Sequence, residues 1–94
     1  MIIIAGYTLT EAGGRDAAVR AFSEMQERAR KHDGCLDLSI SADPLDAERI
    51  NVFELWREQK SLDAWRKVAK PPRGIKIRKA HVKLYRTDRA EKPF

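Results

Sequence analysis

The side chains best suited to chemistry in this sequence are a tryptophan, a tyrosine and a histidine that lie far apart along the chain. The indole of Trp65 offers a flat apolar wall for a ring-shaped ligand and one N–H donor. Tyr7 carries a phenol that can donate or accept a hydrogen bond, and His81 carries an imidazole that could act as a base. Each also has a structural interpretation: Trp65 as a core residue, Tyr7 as a packing residue, and His81, between Lys79 and Lys83, as part of a solvated face.

Length and composition point to one soluble domain. With 94 residues, 43% hydrophobic and 35% charged, the chain is expected to fold over residues 1–94 and to end in a frayed tail at 88–94. Its longest apolar stretch, 1–6, is too short to span a membrane, and no basic region precedes it as a secretory signal requires. The single cysteine, Cys35, has no second thiol for a disulfide or a metal motif. We therefore expect a cytoplasmic protein with no metal site and no membrane partner.

The C-terminal third of the sequence is strongly basic. The formal net charge is +5 at pH 7, and no acidic residue lies between Asp63 and Asp88. Nine cationic residues fall within that interval: Arg66, Lys67, Lys70, Arg73, Lys76, Arg78, Lys79, Lys83 and Arg86. Such a patch can attract an anionic ligand or nucleic acid, or it can form a solvated face that keeps the protein soluble, which is the simpler interpretation.

Hydrophobic periodicity divides the chain into four strands and two helices. β-Branched or alternating residues predict the strands, and apolar residues three or four positions apart predict the helices. Gly34 and the Pro71-Pro72 pair end the two helices. In chain order the predicted elements are a strand at 2–9, a helix between 16 and 32, strands at 36–42 and 50–56, a helix at 57–70 and a strand at 80–85.

This order predicts the ferredoxin-like βαββαβ fold of the α+β class, in which both helices cover one face of an antiparallel sheet. The first and third strands are apolar on both sides, so the uncovered face of the sheet would expose a hydrophobic patch. A two-fold dimer that packs two such faces together covers the patch on both chains. We therefore expect a homodimer.

A segment at the third strand and the second helix carries a family signal. Glu54, Trp56 and Trp65 follow the pattern of an apolar strand that ends in Glu-x-Trp, with a helix tryptophan nine residues after the first. Together with the Gly34-Cys35 start of the second strand, this segment resembles the antibiotic biosynthesis monooxygenase family. The resemblance implies a dimeric α+β barrel that oxidises a small phenolic, quinol or anthrone-like aromatic with O2 and needs no cofactor.

The resemblance, combined with the side-chain chemistry above, indicates the residues of the site. Trp65, Tyr7 and His81 are the candidate catalytic residues, and Ser61, Trp65 and Phe22 are the candidate substrate-binding residues. Ser61 stands where aromatic-oxidising members can have an asparagine, and Tyr7 stands at the family's polar position on the first strand. We expect an apolar pocket between the second helix and the sheet, lined by Trp65.

Haem is not an expected cofactor. Related members bind and degrade haem with an asparagine on the first strand, the helix tryptophan and a histidine at the end of the second helix. The corresponding positions here are Tyr7, Trp65 and Gly74, and no histidine lies between His32 and His81. Because the usual iron ligand is missing, haem is not expected, and the resemblance implies that no other cofactor is needed.

Two other functions compete with oxidation as interpretations of this sequence. The RNA-recognition motif has the same element order, but it needs exposed aromatics and a Lys/Arg-Gly-Phe-type run that the strand at 50–56 lacks. A non-catalytic or isomerase-like member of the same superfamily, binding a small ligand, stays open because fold does not determine function. The expected partners are a small aromatic substrate, O2 and a second copy of the chain, and nucleic acid is not expected.

Overall fold

The computed structural model describes all residues from 1 to 94. Two short helices follow the first strand, two strands come next, and a third helix precedes the last strand. The bounds are β1 Ile2–Thr10, α1 Arg15–Ala21, α2 Ser23–Arg30, β2 Cys35–Ala42, β3 Arg49–Trp56, α3 Gln59–Arg66 and β4 Ile77–Arg86. None of the helices is long and apolar enough to cross a membrane.

The four strands form one antiparallel sheet in the order β2-β3-β1-β4. β1 is an inner strand between β3 and β4, and its residue Ile4 is paired with Glu54 on β3 and with Leu84 on β4. The long apolar runs of β1 and β3 therefore occupy the two inner positions, as their composition requires. The ferredoxin-like α+β fold predicted from the sequence is confirmed.

The first predicted helix is divided at Phe22. The backbone N–H of Phe22 donates to both Ala18 O and Val19 O at 3.2 Å, which tightens the turn, and Gln26 N then donates to Phe22 O at 2.9 Å. The chain consequently follows one helical path with an irregularity between α1 and α2. Phe22 itself is half-buried and packs against the core.

The core lies between the helices and one face of the sheet. Because side chains alternate along a strand, Ile2 and Ile4 of β1 share this face with Trp56 of β3, their neighbour across the ladder. The cluster comprises Ile2, Ile4, Met25, Ala29, Leu38, Trp56, Leu62 and Trp65. Burying each large apolar side chain contributes about 1.5–3 kcal/mol, so this cluster is the main stabilising element of the fold.

The last helix is shorter than the sequence predicts. α3 ends at Arg66, and Val68 N already donates to Trp65 O at 2.9 Å, a three-residue closure that ends the regular ladder. Lys70 then adopts a left-handed conformation with φ of +47°, directly before Pro71. The residues from 67 to 76 therefore form an irregular connection to β4.

The opposite face of the sheet carries no helix. It presents Ile3 and Leu9 of β1 with Phe53 and Leu55 of β3, and Tyr85 of β4 lies at its edge. Phe53 is 38% exposed and Tyr85 is 52% exposed. We call this surface the open face, and it has the exposed apolar character that the two-sided strands predict.

Candidate functional site

Two tryptophans and a histidine form an aromatic cluster at one end of the core. The rings of Trp56 and Trp65 stack at a centroid distance of 6.2 Å and an interplanar angle of 27°. His32 meets Trp65 edge-on at 5.5 Å and 66°, and it meets Trp56 at 6.4 Å and 69°. Both geometries are favourable for aromatic pairs, so the three rings position one another.

Local structure brings the two tryptophans together. Trp56 is the last residue of β3 and Trp65 lies in α3, so the chain reverses between them and the helix returns over the strand end. Trp56 Nε1 donates a hydrogen bond of 3.0 Å to Oε1 of Glu54, which lies two residues earlier and therefore on the same face of the strand. This bond satisfies the only polar atom of a fully buried indole.

A glycine allows the helix to approach this cluster. Gly34 has a φ of +81°, and a Cβ at that position would lie 2.0 Å from Oγ of Ser61. Ser61 is only 6% exposed, since α3 packs directly on the turn before β2. Arg57 N donates to Gly34 O at 2.8 Å and ties the start of α3 to the same turn. Because Gly34 and Ser61 approach so closely, His32, two residues before Gly34, lies in contact with Trp65, four residues after Ser61.

A surface cleft of about 370 Å³ lies beside this cluster, between the C-terminal part of α2 and the end of α3. Its lining comprises Arg28, Lys31, His32, Trp65 and Val68. Trp65 is 4% exposed, so only a small part of its indole reaches the surface of the cleft. The cleft is open to solvent, has an apolar wall and is bordered by cationic side chains. We call it the Trp65 cleft.

Arg28 fixes the end of α3 relative to α2. Its Nη1 donates to Val68 O at 3.1 Å and its Nη2 donates to Ala69 O at 2.6 Å. Cζ of the same guanidinium lies 5.5 Å from the centroid of Trp65, within the range of a cation–π interaction. Arg28 Nε also pairs with Glu24 one helical turn earlier. Arg28 therefore positions Trp65 and forms one side of the Trp65 cleft.

One nitrogen of His32 is available for proton transfer. Nδ1 lies 3.1 Å from the carbonyl oxygen of Asp33, and a carbonyl can only accept, so Nδ1 carries the hydrogen in this contact. In the neutral ring, Nε2 is then the lone-pair nitrogen, and it makes no hydrogen bond within the chain. The imidazole beside Trp65 thus offers a free acceptor.

Tyr7 and His81 lie together on the open face. Their rings stack at 4.9 Å and 30°, because the two residues are direct neighbours on β1 and β4. The guanidinium carbon of Arg49 lies 3.9 Å from the centroid of the Tyr7 ring. Arg49 is itself held by Asn51, to which its Nε donates at 2.7 Å. This pair is separated from Trp65 by the sheet.

The sequence profile of the antibiotic biosynthesis monooxygenase family matches residues 1–70. The chain belongs to the antibiotic biosynthesis monooxygenase family. The matched segment of the chain includes every element from β1 to α3, and it contains Glu54, Trp56 and Trp65. No curated protein is similar enough to match it.

Solved structures share the fold of this family member at low identity. A Shewanella oneidensis protein is 18% identical with a TM-score of 0.75, over 89% of this chain and 87% of that chain. A Nitrosomonas europaea protein, provisionally described as an antibiotic biosynthesis monooxygenase, is 17% identical with a TM-score of 0.73, over 93% and 98%. A Deinococcus radiodurans protein with the same provisional description is 16% identical with a TM-score of 0.72, over 100% and 99%. Such identities establish the fold alone.

The site residues predicted from the sequence lie at three separate locations in the structure. Trp65 and Ser61 lie one turn apart on α3 beside His32, although Ser61 packs on Gly34 and does not line the Trp65 cleft. Phe22 packs against the core and lies outside the cleft lining. The pair Tyr7 and His81 occupies the open face. One ligand in the cleft therefore contacts Trp65 and not the open-face pair of the same chain.

Sequence reasoning missed His32 and Arg28 as cleft residues. They are four positions apart within the helix that the sequence predicts between 16 and 32, where this spacing indicates one side of the helix, and that signal was available. Their proximity to Trp65 was not available, because it depends on how α3 packs against the end of α2. No group of three His, Cys, Asp or Glu side chains is placed to hold a metal ion.

Proposed function

We propose that this chain is a cofactor-independent monooxygenase that oxidises a small phenolic, quinol or anthrone-like aromatic with O2, and that the substrate binds in the Trp65 cleft. The observation that carries the proposal is the contact between His32 and the stacked tryptophans at the cleft, with ring centroids 5.5 Å apart for His32 and Trp65. An aromatic wall and a free imidazole acceptor stand side by side there. Membership of the family supports the same reaction class.

The reaction is balanced by the substrate and O2 alone. For an anthrone-like substrate, a base removes a proton from the ring-flanked CH2 group, and the resulting anion donates electrons to O2. A C–O bond forms to give a hydroperoxide, whose O–O bond then breaks as the second C–H proton is lost. The carbon becomes a carbonyl, one oxygen atom remains in the product, and the other leaves as water. The substrate carbon supplies all four electrons.

The cleft residues have distinct roles in this proposal. The aromatic ring packs on Val68 and on the exposed part of Trp65, and Nε2 of His32 takes up the proton. Arg28 and Lys31 border the same cleft, and their positive charges stabilise the substrate anion. The anion is the form that donates electrons most readily, so stabilising it promotes the first step.

The other residues singled out by the sequence take different roles. Ser61 and Phe22 support the cleft indirectly, since Ser61 holds α3 against Gly34 and Phe22 packs on the core. A catalytic part for Tyr7 and His81 remains a prediction that needs a second site on the open face. In the present proposal that pair belongs to the surface between two copies of the chain.

Oxygen uptake tests the proposal. The native protein is expected to consume O2 with at least one member of a panel of anthrones, quinols and electron-rich phenols. Trp65→Phe should raise KM because the wall shrinks, and His32→Gln should lower kcat by about 10²-fold, a common cost of losing a general base. His81→Gln is the matched control, because it makes the same change on the opposite face of the sheet. A lack of turnover across the panel, or equal losses in both histidine variants, would count against the proposal.

The alternative is a ligand-binding or isomerase-like role for the same cleft. The observation in its favour is that the Trp65 cleft opens to solvent, whereas a peroxy intermediate requires protection from water. Saturable binding of an aromatic probe without oxygen uptake would support this role.

We also propose that the open face is the contact surface of a homodimer. Phe53 and Tyr85 are exposed large apolar residues there, and Leu55 and Ile3 lie between them in the sheet. Packing two such faces about a two-fold axis removes the apolar surface of both chains from water. The Trp65 cleft lies on the other side of the sheet and stays accessible in this arrangement.

A further inference from the structure

The Trp65 cleft is lined by cations opposite an apolar wall. Arg28 and Lys31 reach it from α2 and the turn that follows, and His32 adds an imidazole. Trp65 and Val68 supply the apolar part. No acidic side chain lines the cleft. A neutral hydrocarbon ligand would gain no electrostatic attraction from these cations, whereas an anionic ligand would.

Arg28 retains hydrogen-bonding capacity after its contacts within the chain are counted. A guanidinium has five N–H donors in a planar fork. One contact goes from Nε to Glu24, one from Nη1 to Val68 O and one from Nη2 to Ala69 O. The remaining N–H groups of Nη1 and Nη2 are free, and the bound carbonyls hold the fork in place beside Trp65. These two N–H groups are the donors of Arg28 that an anionic oxygen can still use.

Lys31 adds a second cation that is only weakly engaged. Its Nζ lies 3.7 Å from Oε1 of Glu27, beyond hydrogen-bond length, and both side chains are largely exposed. Breaking such an exposed pair costs little. The ammonium is therefore free to turn into the cleft. The formal net charge of +5 adds a long-range attraction for anions.

From this arrangement we infer that the cleft selects an aromatic ring that bears a carboxylate. The ring packs on Trp65 and Val68, and the carboxylate accepts hydrogen bonds from Arg28 and Lys31. This inference rests on the proposed function, because the same cleft holds the substrate there. It narrows the substrate class from phenolic, quinol or anthrone-like aromatics to those that also bear a carboxylate.

Binding of two matched probes to the full chain tests the inference. 2-Naphthoate and 2-naphthalenemethanol share a ring system and differ in charge, and tryptophan fluorescence reports binding, with Trp65→Phe identifying the reporter. The carboxylate is expected to bind about tenfold more tightly than the alcohol, as suits a charge-assisted pair, and this margin should shrink as salt is added. Lys31→Gln should reduce the margin about threefold. Lys92→Gln, which removes one positive charge in the C-terminal tail, should leave it unchanged.

Arg28→Lys provides a second variant that keeps the charge and loses the planar fork. It should lower the affinity for the carboxylate by a larger factor than the affinity for the alcohol, whereas a general loss of structure would weaken the binding of both probes equally. Equal affinity of the two probes, equal effects of Lys31→Gln and Lys92→Gln, or no binding of either probe would overturn the inference. Selective carboxylate binding without oxygen uptake would retain the inference and remove the proposed monooxygenase activity, so the two failures are distinguishable.

Discussion

Gly34 and Ser61 are in a contact that leaves no space for a side chain at residue 34. A Cβ there would lie 2.0 Å from Ser61 Oγ and 2.3 Å from Ser61 Cβ. The turn before β2 and the first part of α3 therefore approach as closely as backbone and serine allow. Since His32 lies two residues before Gly34 and Trp65 lies one turn after Ser61, this contact sets the distance between the two cleft residues.

Replacing Gly34 tests the contact. Gly34→Ala should lower the free energy of unfolding by about 3 kcal/mol, because a steric clash is added to the strain of a positive φ. Gly13→Ala is the matched control, since Gly13 has a φ of +80° and a Cβ there meets nothing within 4 Å. The control should cost only about 1 kcal/mol from backbone strain. Denaturant unfolding measures both, and equal losses would show that the contact with Ser61 is not tight.

The bond between Glu54 and Trp56 should be visible in a double-mutant cycle. Glu54→Leu removes the acceptor of a fully buried indole N–H and should destabilise the protein by about 1–3 kcal/mol. Glu54→Gln keeps an acceptor oxygen and should cost less. In a Trp56→Phe background the N–H is absent, so the effect of Glu54→Leu should become smaller. Independent, additive effects of the two substitutions would mean that the bond contributes nothing to stability.

A charge on the open face should dissociate the proposed dimer. Phe53→Lys places an ammonium at the centre of the contact surface, where pairing two chains would bury it. Sedimentation at micromolar concentration should show a dimer for the native chain and a monomer for this variant. Leu45→Lys makes the same kind of change at a loop residue that is 95% exposed, and it should stay dimeric. A monomeric native chain would remove the proposal of the dimer.

Cys35 should react slowly with thiol reagents in the folded protein. Partial burial raises the pKa of the Cys35 thiol above its ordinary value, and the carboxylates of Glu54 and Asp37 raise it further. At pH 8 the folded protein therefore holds less thiolate than the unfolded chain, so labelling should accelerate on unfolding. A native thiol that reacts as fast as the unfolded one would contradict this assignment.

The raised pKa of the Cys35 thiol also makes the free energy of unfolding depend on pH. The folded state holds the Cys35 proton more tightly than the unfolded state does. The resulting contribution to stability is fully present below the unfolded-state pKa and is lost as the pH rises through the folded-state pKa. Compared with Cys35→Ala, the native protein should lose more stability as the pH rises above the ordinary pKa of cysteine, about 8.5. Denaturant titrations of both proteins across that window provide the comparison.

The element order was predictable because each element depends on local rules. Alternation along β2, two-sided apolar composition in β1 and β3, and helical spacing from Ala18 to Ala29 are properties of short segments. The Pro71-Pro72 pair marks a real boundary, but α3 ends four residues before the predicted limit at 70. That difference arises from the local turn that Val68 N closes on Trp65 O and from the carbonyls that Arg28 holds, and only the second of these is a tertiary feature.

The family membership and the importance of Trp56 and Trp65 were contained in the sequence alone, as was the apolar character of the open face. Only the tertiary structure decided that Tyr7 and His81 lie across the sheet from Trp65, and that His32 and Arg28 adjoin it. The physical reason is that pattern determines which face of an element is buried. Which side chains meet across two packed elements is determined by close contacts such as that of Gly34 with Ser61, and these join residues far apart in the chain.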